Sequence, residues 1–436
     1  MRQKLALLLA LSLAAAACQP IEVRLEPPSG SAPPAEPATS VPLIPDTGAT
    51  ATPAATAPQP IPTLAPASPF PDVSGDAAGL PGLRLPAPVY FLLPGSGQVW
   101  RLEPDAARLI PITREAAPVT AFDISPTDGA LAYVSGNALI QTDALGNHRV
   151  VLAQGPDTFG DEQLNREVTN PRWSPDGQWI AFGLNGVNVV AAAGAASAGT
   201  PRLVLQNSPA VWLTADTAAT EAPAEPARFY RPAAWAPDGE RLLVEFNYFP
   251  HGGGWLVLDR AGQVLATLQP PEGYPCCEPA WSQDGRFVFF ANEQPGLIAP
   301  GLWRADAATG EVASLIPGLT QTGMTFVRAP RELADGRLHF LLGTSTAFPE
   351  DRPQLVPFSA AGFADSLVDF RATRGESFKV SEVVWDPAGR GLLLVQASAS
   401  APWEEGGALI WLSADSAGGP PVALGQSGRQ PRWGRP

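Results

Sequence analysis

From about Leu85 to the C-terminus, short apolar runs alternate with clusters of turn residues. The runs Trp179-Ile180-Ala181-Phe182, Leu242-Leu243-Val244, Phe287-Val288-Phe289-Phe290, Leu338-His339-Phe340-Leu341 and Leu392-Leu393-Leu394-Val395 are too short for helices. Bounded by Gly, Pro and Asp, they predict buried β-strands. Each leaves a tight-turn signal: Trp173-Ser174-Pro175-Asp176-Gly177, Trp235-Ala236-Pro237-Asp238-Gly239 and Trp281-Ser282-Gln283-Asp284-Gly285, with looser copies at Ile124 to Gly129, Leu333 to Gly336 and Trp385 to Gly389. Pro presets φ at the second turn position, Asp favours the third and Gly relieves the fourth. A further strand ending in a glycine turn follows in each unit (Leu139 to Gly146, Val187 to Gly194, Trp255 to Gly262, Leu302 to Gly310, Leu355 to Gly362, Leu409 to Gly418). A short last strand completes it, as in Arg149 to Leu152, Leu203 to Leu205 or Val422 to Leu424.

Four-stranded units repeating every 46 to 62 residues, by the spacing of the turn glycines, describe an all-β fold, a β-propeller. Six units are whole. Ahead of them, Val89 to Leu92, Gln98 to Leu102 and Leu109 to Ile112 read as strands two, three and four of a blade lacking strand one. At the other end, Arg432-Trp433 copies Arg172-Trp173, read as the start of a strand one. The two ends together make a composite closing blade, hence seven blades. Six is the alternative if the weakest unit, 322–370, is irregular. The repeated Trp-Ser-Pro-Asp-Gly signature resembles the WD-like propeller repeats of the TolB family of exported bacterial proteins, over residues 86–436. Members of that family also carry an N-terminal α/β domain and six blades. A proline-rich stretch stands here instead, which weighs against the family's own role.

That stretch, Gln19 to Pro71, holds fifteen prolines in 53 residues, with Phe70 the only aromatic. It cannot bury enough apolar surface to offset its chain entropy and predicts an extended tether, on the order of 150 Å at full reach and about 40 Å as a coil. Before it, Arg2 and Lys4 precede an apolar run, Leu5 to Leu13, then four alanines and Cys18. A basic head, a short apolar run and small residues make an export signal, too short to span a bilayer as a mature helix. It resembles a bacterial lipoprotein signal, which implies cleavage before Cys18 and lipidation of that residue. The expected organisation is 1–17 signal peptide, 18–85 lipid-anchored tether and 86–436 propeller. The expected location is a membrane surface outside the cytoplasm.

Charge narrows the partners. Asp and Glu number 42 against 28 Lys and Arg, a net charge of −14, with Lys4 and Lys379 the only lysines. Phosphate neutralisation needs clustered bases, so no nucleic-acid partner is expected. Three His (148, 251 and 339), scattered over different blades, and three Cys predict neither a metal site nor a cofactor. No HExxH, GxSxG or P-loop signature occurs. Asp176, Asp238 and Asp284 are accounted for by their turns, together with Gly177, Gly239, Gly285 and Gly389. Trp173, Trp235, Trp281, Trp385 and Trp433 recur at one point of each blade, as packing residues do. Adjacent Cys276 and Cys277 in an exported protein suit a vicinal disulfide, the alternatives being two thiols or an intermolecular bridge.

The turns occupy one end of the ring. The strand-two-to-three and blade-to-blade connections emerge at the other, and variable loops on a rigid scaffold commonly carry function. They hold the surplus aromatics and arginines that binding hot spots use: Phe159, Arg166, Trp212, Phe229, Tyr230, Arg231, Tyr248, Phe249, Tyr274, Phe348, Arg352 and Trp403. The opposing expectation is that these rings tuck under their own loops. The function expected is a monomeric, non-catalytic binding or scaffolding module for a protein or envelope component. The alternative is an enzyme acting on a sugar or peptide in the central pocket. A fold hosts either; the missing acid/base constellation favours the first.

Overall fold

The structure is a computed structural model that describes residues 82–156, 166–194, 199–208, 228–248, 253–268, 279–292, 301–320, 323–345, 353–386, 388–396, 405–414 and 419–436. The signal segment with Cys18, the tether as far as residue 81, and the Cys276–Cys277 pair lie outside the described residues, whereas Leu85, at the expected end of the tether, is buried in the core.

The described chain is almost entirely antiparallel strand. Five blades are self-contained: blade 1 (119–154), blade 2 (169–206), blade 3 (228–268), blade 4 (280–317) and blade 5 (323–372), the last with a two-residue extra strand, Leu319–Thr320. The weakest unit is thus a full blade. The remaining seven strands form one continuous sheet in which the last strand, Val422–Trp433, is shared. Its first half pairs with Gly407–Ser413 as the outer strand of blade 6. Its second half pairs with Val89–Leu93 in the register Val89↔Trp433 and Leu92↔Arg429, as the inner strand of blade 7. The blades therefore number seven, closed by the two ends of the array. One detail differs from expectation: the outer strand of blade 6 and the closing strand are one unbroken strand, with no loop between them. Glycines make the passage. Gly425 sits at φ +69°, and a Cβ on Gly428 would lie 2.5 Å from the Phe91 ring.

The core explains why the strands read as continuous apolar runs. Both faces of every blade are covered by a neighbour, so alternate residues bury on opposite sides. In Phe287–Asn292, Phe287 and Phe289 join the cluster shared with blade 5, and Val288 and Phe290 the cluster shared with blade 3. In Val89–Leu93, Val89 and Phe91 face blade 6 while Tyr90 and Leu92 face blade 1. Seven apolar clusters result, one per seam. Each buried Phe or Leu contributes roughly 1.5–3 kcal/mol.

The repeat tryptophans fasten the inner strands to one another. Their indole N–H groups donate to the inner strand of the preceding blade: Trp235 to the Arg172 carbonyl at 3.0 Å, Trp281 to Ala234 at 3.3 Å, Trp385 to Ala329 at 2.7 Å and Trp433 to Val384 at 3.2 Å. The other seams use different groups. The Trp173 amide donates to Asp123 Oδ2 at 2.8 Å, the Gln283 amide to Glu332 Oε2 at 2.9 Å, and Gln430 Nε2 to the Thr120 carbonyl at 3.0 Å. Blade 5 carries Glu332 where blades 2, 3, 4, 6 and 7 carry Trp, and its carboxylate takes over the fastening.

Candidate functional site

The turn end of the ring is held by its own contacts. Ser174 Oγ donates to Asp176 Oδ1 at 2.5 Å and Asp176 in turn accepts the Gln178 amide at 3.0 Å; Ser282 and Asp284 repeat this at 2.6 Å. Successive turns pack edge to edge. Gly177 stands at φ +67°, and a Cβ there would meet Thr127 Oγ1 of the previous turn at 2.1 Å, so only glycine fits. Arg260 ties two turns together, donating to the Gly239 carbonyl at 2.7 Å and pairing with Asp176 at 3.4 Å and Glu240 at 3.3 Å. These aspartates serve as turn staples.

At the opposite end, the expected binding residues divide. Phe159, Trp212, Phe249, Tyr274, Phe348, Arg352 and Trp403 lie outside the described residues, and Tyr248 is described only in its backbone, paired with Arg228 at the end of Arg241–Tyr248. Arg166 precedes the inner strand of blade 2, and its carbonyl accepts from Asn137 Nδ2 at 2.9 Å. Phe229, Tyr230 and Arg231 are brought together at the start of Arg228–Trp235, in a shallow cleft between blades 2 and 3 that Glu167, Thr169, Asn185 and Asn207 complete. The Tyr230 amide donates to Asn207 Oδ1 at 2.8 Å and the Arg228 amide to Ser208 Oγ at 2.6 Å, which pins this strand end. All three side chains are half-buried, and Tyr230 packs on the cluster containing Val187 and Val244. Part of the expected surface is therefore a braced wall. The cleft has room for about one water molecule, so it is a surface feature and not a ligand pocket. Glu167 and the asparagines were not foreseen, because they are near Phe229 only through blade packing.

The inner strands carry a second feature that sequence reading missed. They hold Arg172, Arg228 and Arg231 in blades 2 and 3, Arg328 and Arg331 in blade 5, and Arg429 and Arg432 in blade 7; the acids among them are Asp123, Glu332 and Glu382. The inner strands around the axis thus carry a cationic excess in a chain whose net charge is −14. Three of these arginines sit in one recurring local structure. Asn170-Pro171-Arg172, Ala329-Pro330-Arg331 and Gln430-Pro431-Arg432 each place a residue at positive φ (48°, 49° and 51°) before a proline, at a β-bulge. A bulge breaks the alternation of the pleat and re-aims the next side chain, and Pro removes an N–H that the bulge leaves unpaired. The signal was present in sequence as a thrice-repeated Pro-Arg ahead of the turn.

Other polar groups have local roles. His339 is buried, 2.9 Å from Asp335 Oδ2 and edge-on to Trp385. His148 is exposed near Asp143. Among the described residues no group of three or more His, Cys, Asp or Glu is placed to hold a metal, and no helix is long and apolar enough to cross a membrane.

No protein-family model and no curated protein matches the sequence. Solved structures do. The putative TolB of Agrobacterium tumefaciens is 16% identical, with 63% of this chain and 85% of that one covered at a TM-score of 0.37. The periplasmic gluconolactonase of Pseudomonas aeruginosa is 16% identical over 80% of this chain and 99% of its own, at 0.47. A puromycin hydrolase is 15% identical over 84% of this chain and 56% of its own, at 0.49. The propeller assignment itself stands on the strand pairing.

Proposed function

We propose that this chain is a non-catalytic binding propeller, exported and held at a membrane surface through Cys18, which presents its connection end to a protein or envelope component. The observation that carries the reading is the asymmetry of the two ends. The turn end spends its polar groups on itself, from Ser174–Asp176 to Arg260. The connection end holds the longer and less repetitive stretches of sequence, and its described part includes, at Phe229, Tyr230 and Arg231, a braced cluster of two aromatics and an arginine beside Glu167. Rigid aromatics with Arg bind at low cost in side-chain entropy. A single acyl chain gives only marginal membrane binding, whereas the several chains of a lipoprotein anchor hold firmly.

Two experiments test the reading. Cys18→Ala moves the protein from the membrane pellet into the soluble exported fraction; equal pelleting of both forms after a high-salt wash defeats the anchor. Partners cross-linked to the wild type in intact cells are then measured with two double variants. Phe229→Ala with Arg231→Ala weakens their capture at least tenfold, about 1.4 kcal/mol, at unchanged melting temperature. Gln178→Ala with Glu240→Ala, beside the turns, leaves capture intact. The reverse result places docking on the other end.

A further inference from the structure

The bulged inner strands raise a question that the connection end does not answer: what the repeated arginines do. Most are engaged. Arg172 Nε donates to the Ala233 carbonyl at 2.6 Å and Nη1 to Pro171 at 2.9 Å. Arg432 Nη1 donates to Pro431 at 2.9 Å, with Nε 3.9 Å from Asp123 Oδ1. Arg328 donates to the Ser381 carbonyl. A guanidinium carries five N–H donors, so Arg172 and Arg432 keep some in reserve. Arg331 differs. Among the described residues no hydrogen bond or ion pair engages its side chain.

The surroundings of Arg331 say where it points. Its strand, Gly323–Glu332, touches the inner strands of the neighbouring blades, and only Leu319–Thr320, paired with its first residues, lies inside it. Arg331 is exposed near the far end of that strand, where the open side faces the axial channel that the inner strands surround. Arg172, Arg331 and Arg432 each stand two residues before a turn residue equivalent to Ser174, so they occupy one level near the turn end of that channel. Asp123 holds the same position in blade 1, between Arg172 and Arg432, and its Oδ2 is taken by the Trp173 amide. At this level the inner strands thus carry three arginines against one carboxylate, which Arg172 and Arg432 both feel.

We infer that the axial channel is an oxyanion site, in which Arg331 supplies an open guanidinium fork to a carboxylate or phosphate group of a small ligand and Arg172 and Arg432 provide the cationic wall from blades 2 and 7. The fork geometry of Arg matches such groups with two parallel N–H···O bonds. Electrostatics agree with the geometry. Burial lowers the pKa of Arg331 with no carboxylate to offset it. Burial also lowers that of Arg172, where Asp123 opposes the effect and Arg432 adds to it. An uncompensated cation inside the ring is a cost that a bound anion relieves. The strained backbone fits the same role: three non-glycine residues stand at positive φ, a cost that functional sites commonly carry, and an arginine follows two residues after each. The site lies at the end of the ring opposite to the docking surface proposed above and does not depend on it.

The test is calorimetric titration of the purified full-length protein at low ionic strength with two probes, inorganic phosphate and citrate. At least one is expected to bind saturably at one site per chain, and the tighter probe identifies the phosphate or carboxylate class. Arg331→Gln weakens that binding at least tenfold, while Arg286→Gln, an exposed residue with the same change of charge, leaves it unaltered. A thermal shift gives the second readout: the tighter probe raises the melting temperature of the wild type and of Arg286→Gln but not of Arg331→Gln, which without probe melts no lower than the wild type. Absence of saturable binding by both probes overturns the inference, as does equal binding by wild type and Arg331→Gln.

Discussion

Closure of the ring rests on one short segment, and removing it tests the architecture most directly. Trp433 lies at the end of the shared strand, edge-on to Trp411 at 5.5 Å between ring centroids, with its indole N–H on the Val384 carbonyl. It is half-buried, so Trp433→Ala belongs at the low end of the range for losing a packed Trp, about 3 kcal/mol. Unfolding entropy is about 2.1 cal/mol/K per residue; over roughly 350 residues that is about 0.75 kcal/mol/K, so the expected loss is about 4 °C in melting temperature. Deleting 429–436 does more. It uncovers Val89 and Phe91, both fully buried, removes the pairing Val89↔Trp433, and breaks the Gln430–Thr120 seam as well. Against a typical margin of roughly 5–15 kcal/mol, that truncation is expected to leave a protein that melts far lower and less cooperatively. Deletion of 19–80 is the control and leaves melting unchanged. Scanning calorimetry, with circular dichroism as a second probe of the same transition, reads all three. If Trp433→Ala melts within about 1 °C of wild type and the 429–436 truncation melts with it, the seventh blade is not closed as described.

Two further outcomes follow from the same geometry and a third from the sequence. Trp235→Phe loses a seam hydrogen bond worth about 1 kcal/mol, whereas Trp173→Phe is close to neutral, because the buried Trp173 indole N–H has no partner among the described residues; equal losses in denaturant titrations refute the seam role. The Asp284 carboxyl is held below its ordinary value of 3.8 by the Ser282 hydroxyl and then by the Arg286 amide, and Asp306 by the Thr309 amide; their stabilisation is complete above that ordinary value and lost as pH falls through the lower folded values. Melting temperature is therefore expected to drop below about pH 4, and the drop should be shallower in Asp284→Asn with Asp306→Asn; an unchanged acid limb contradicts this. Finally, Cys276 and Cys277 are expected to be bonded to one another in the exported protein, so that intact mass rises by two hydrogens on reduction; ready alkylation of both thiols in fresh, unreduced protein dismisses the bond.

The fold was legible because it is local and repeated. A Pro-Asp-Gly turn sets its own geometry from neighbouring residues, and an apolar run after it reads as a strand wherever it stands. Six copies of that grammar, with Val89 to Leu92 unmatched at one end and Arg432-Trp433 at the other, were enough to place the composite blade. What the copies do to one another is not local. That Trp235 fastens Arg172, that Gly177 yields to Thr127, and that Asp123 sits between Arg172 and Arg432 are contacts between residues some fifty or more positions apart or at opposite ends of the chain. The proposed docking surface was half legible for the same reason: Phe229, Tyr230 and Arg231 adjoin in sequence, but Glu167 and Asn207 reach them only once blades 2 and 3 pack. The arginines of the axis were visible as scattered residues in an acidic chain. Only the ring, which brings every inner strand to one channel and bulges three of them at the same level, turns their charges into a site.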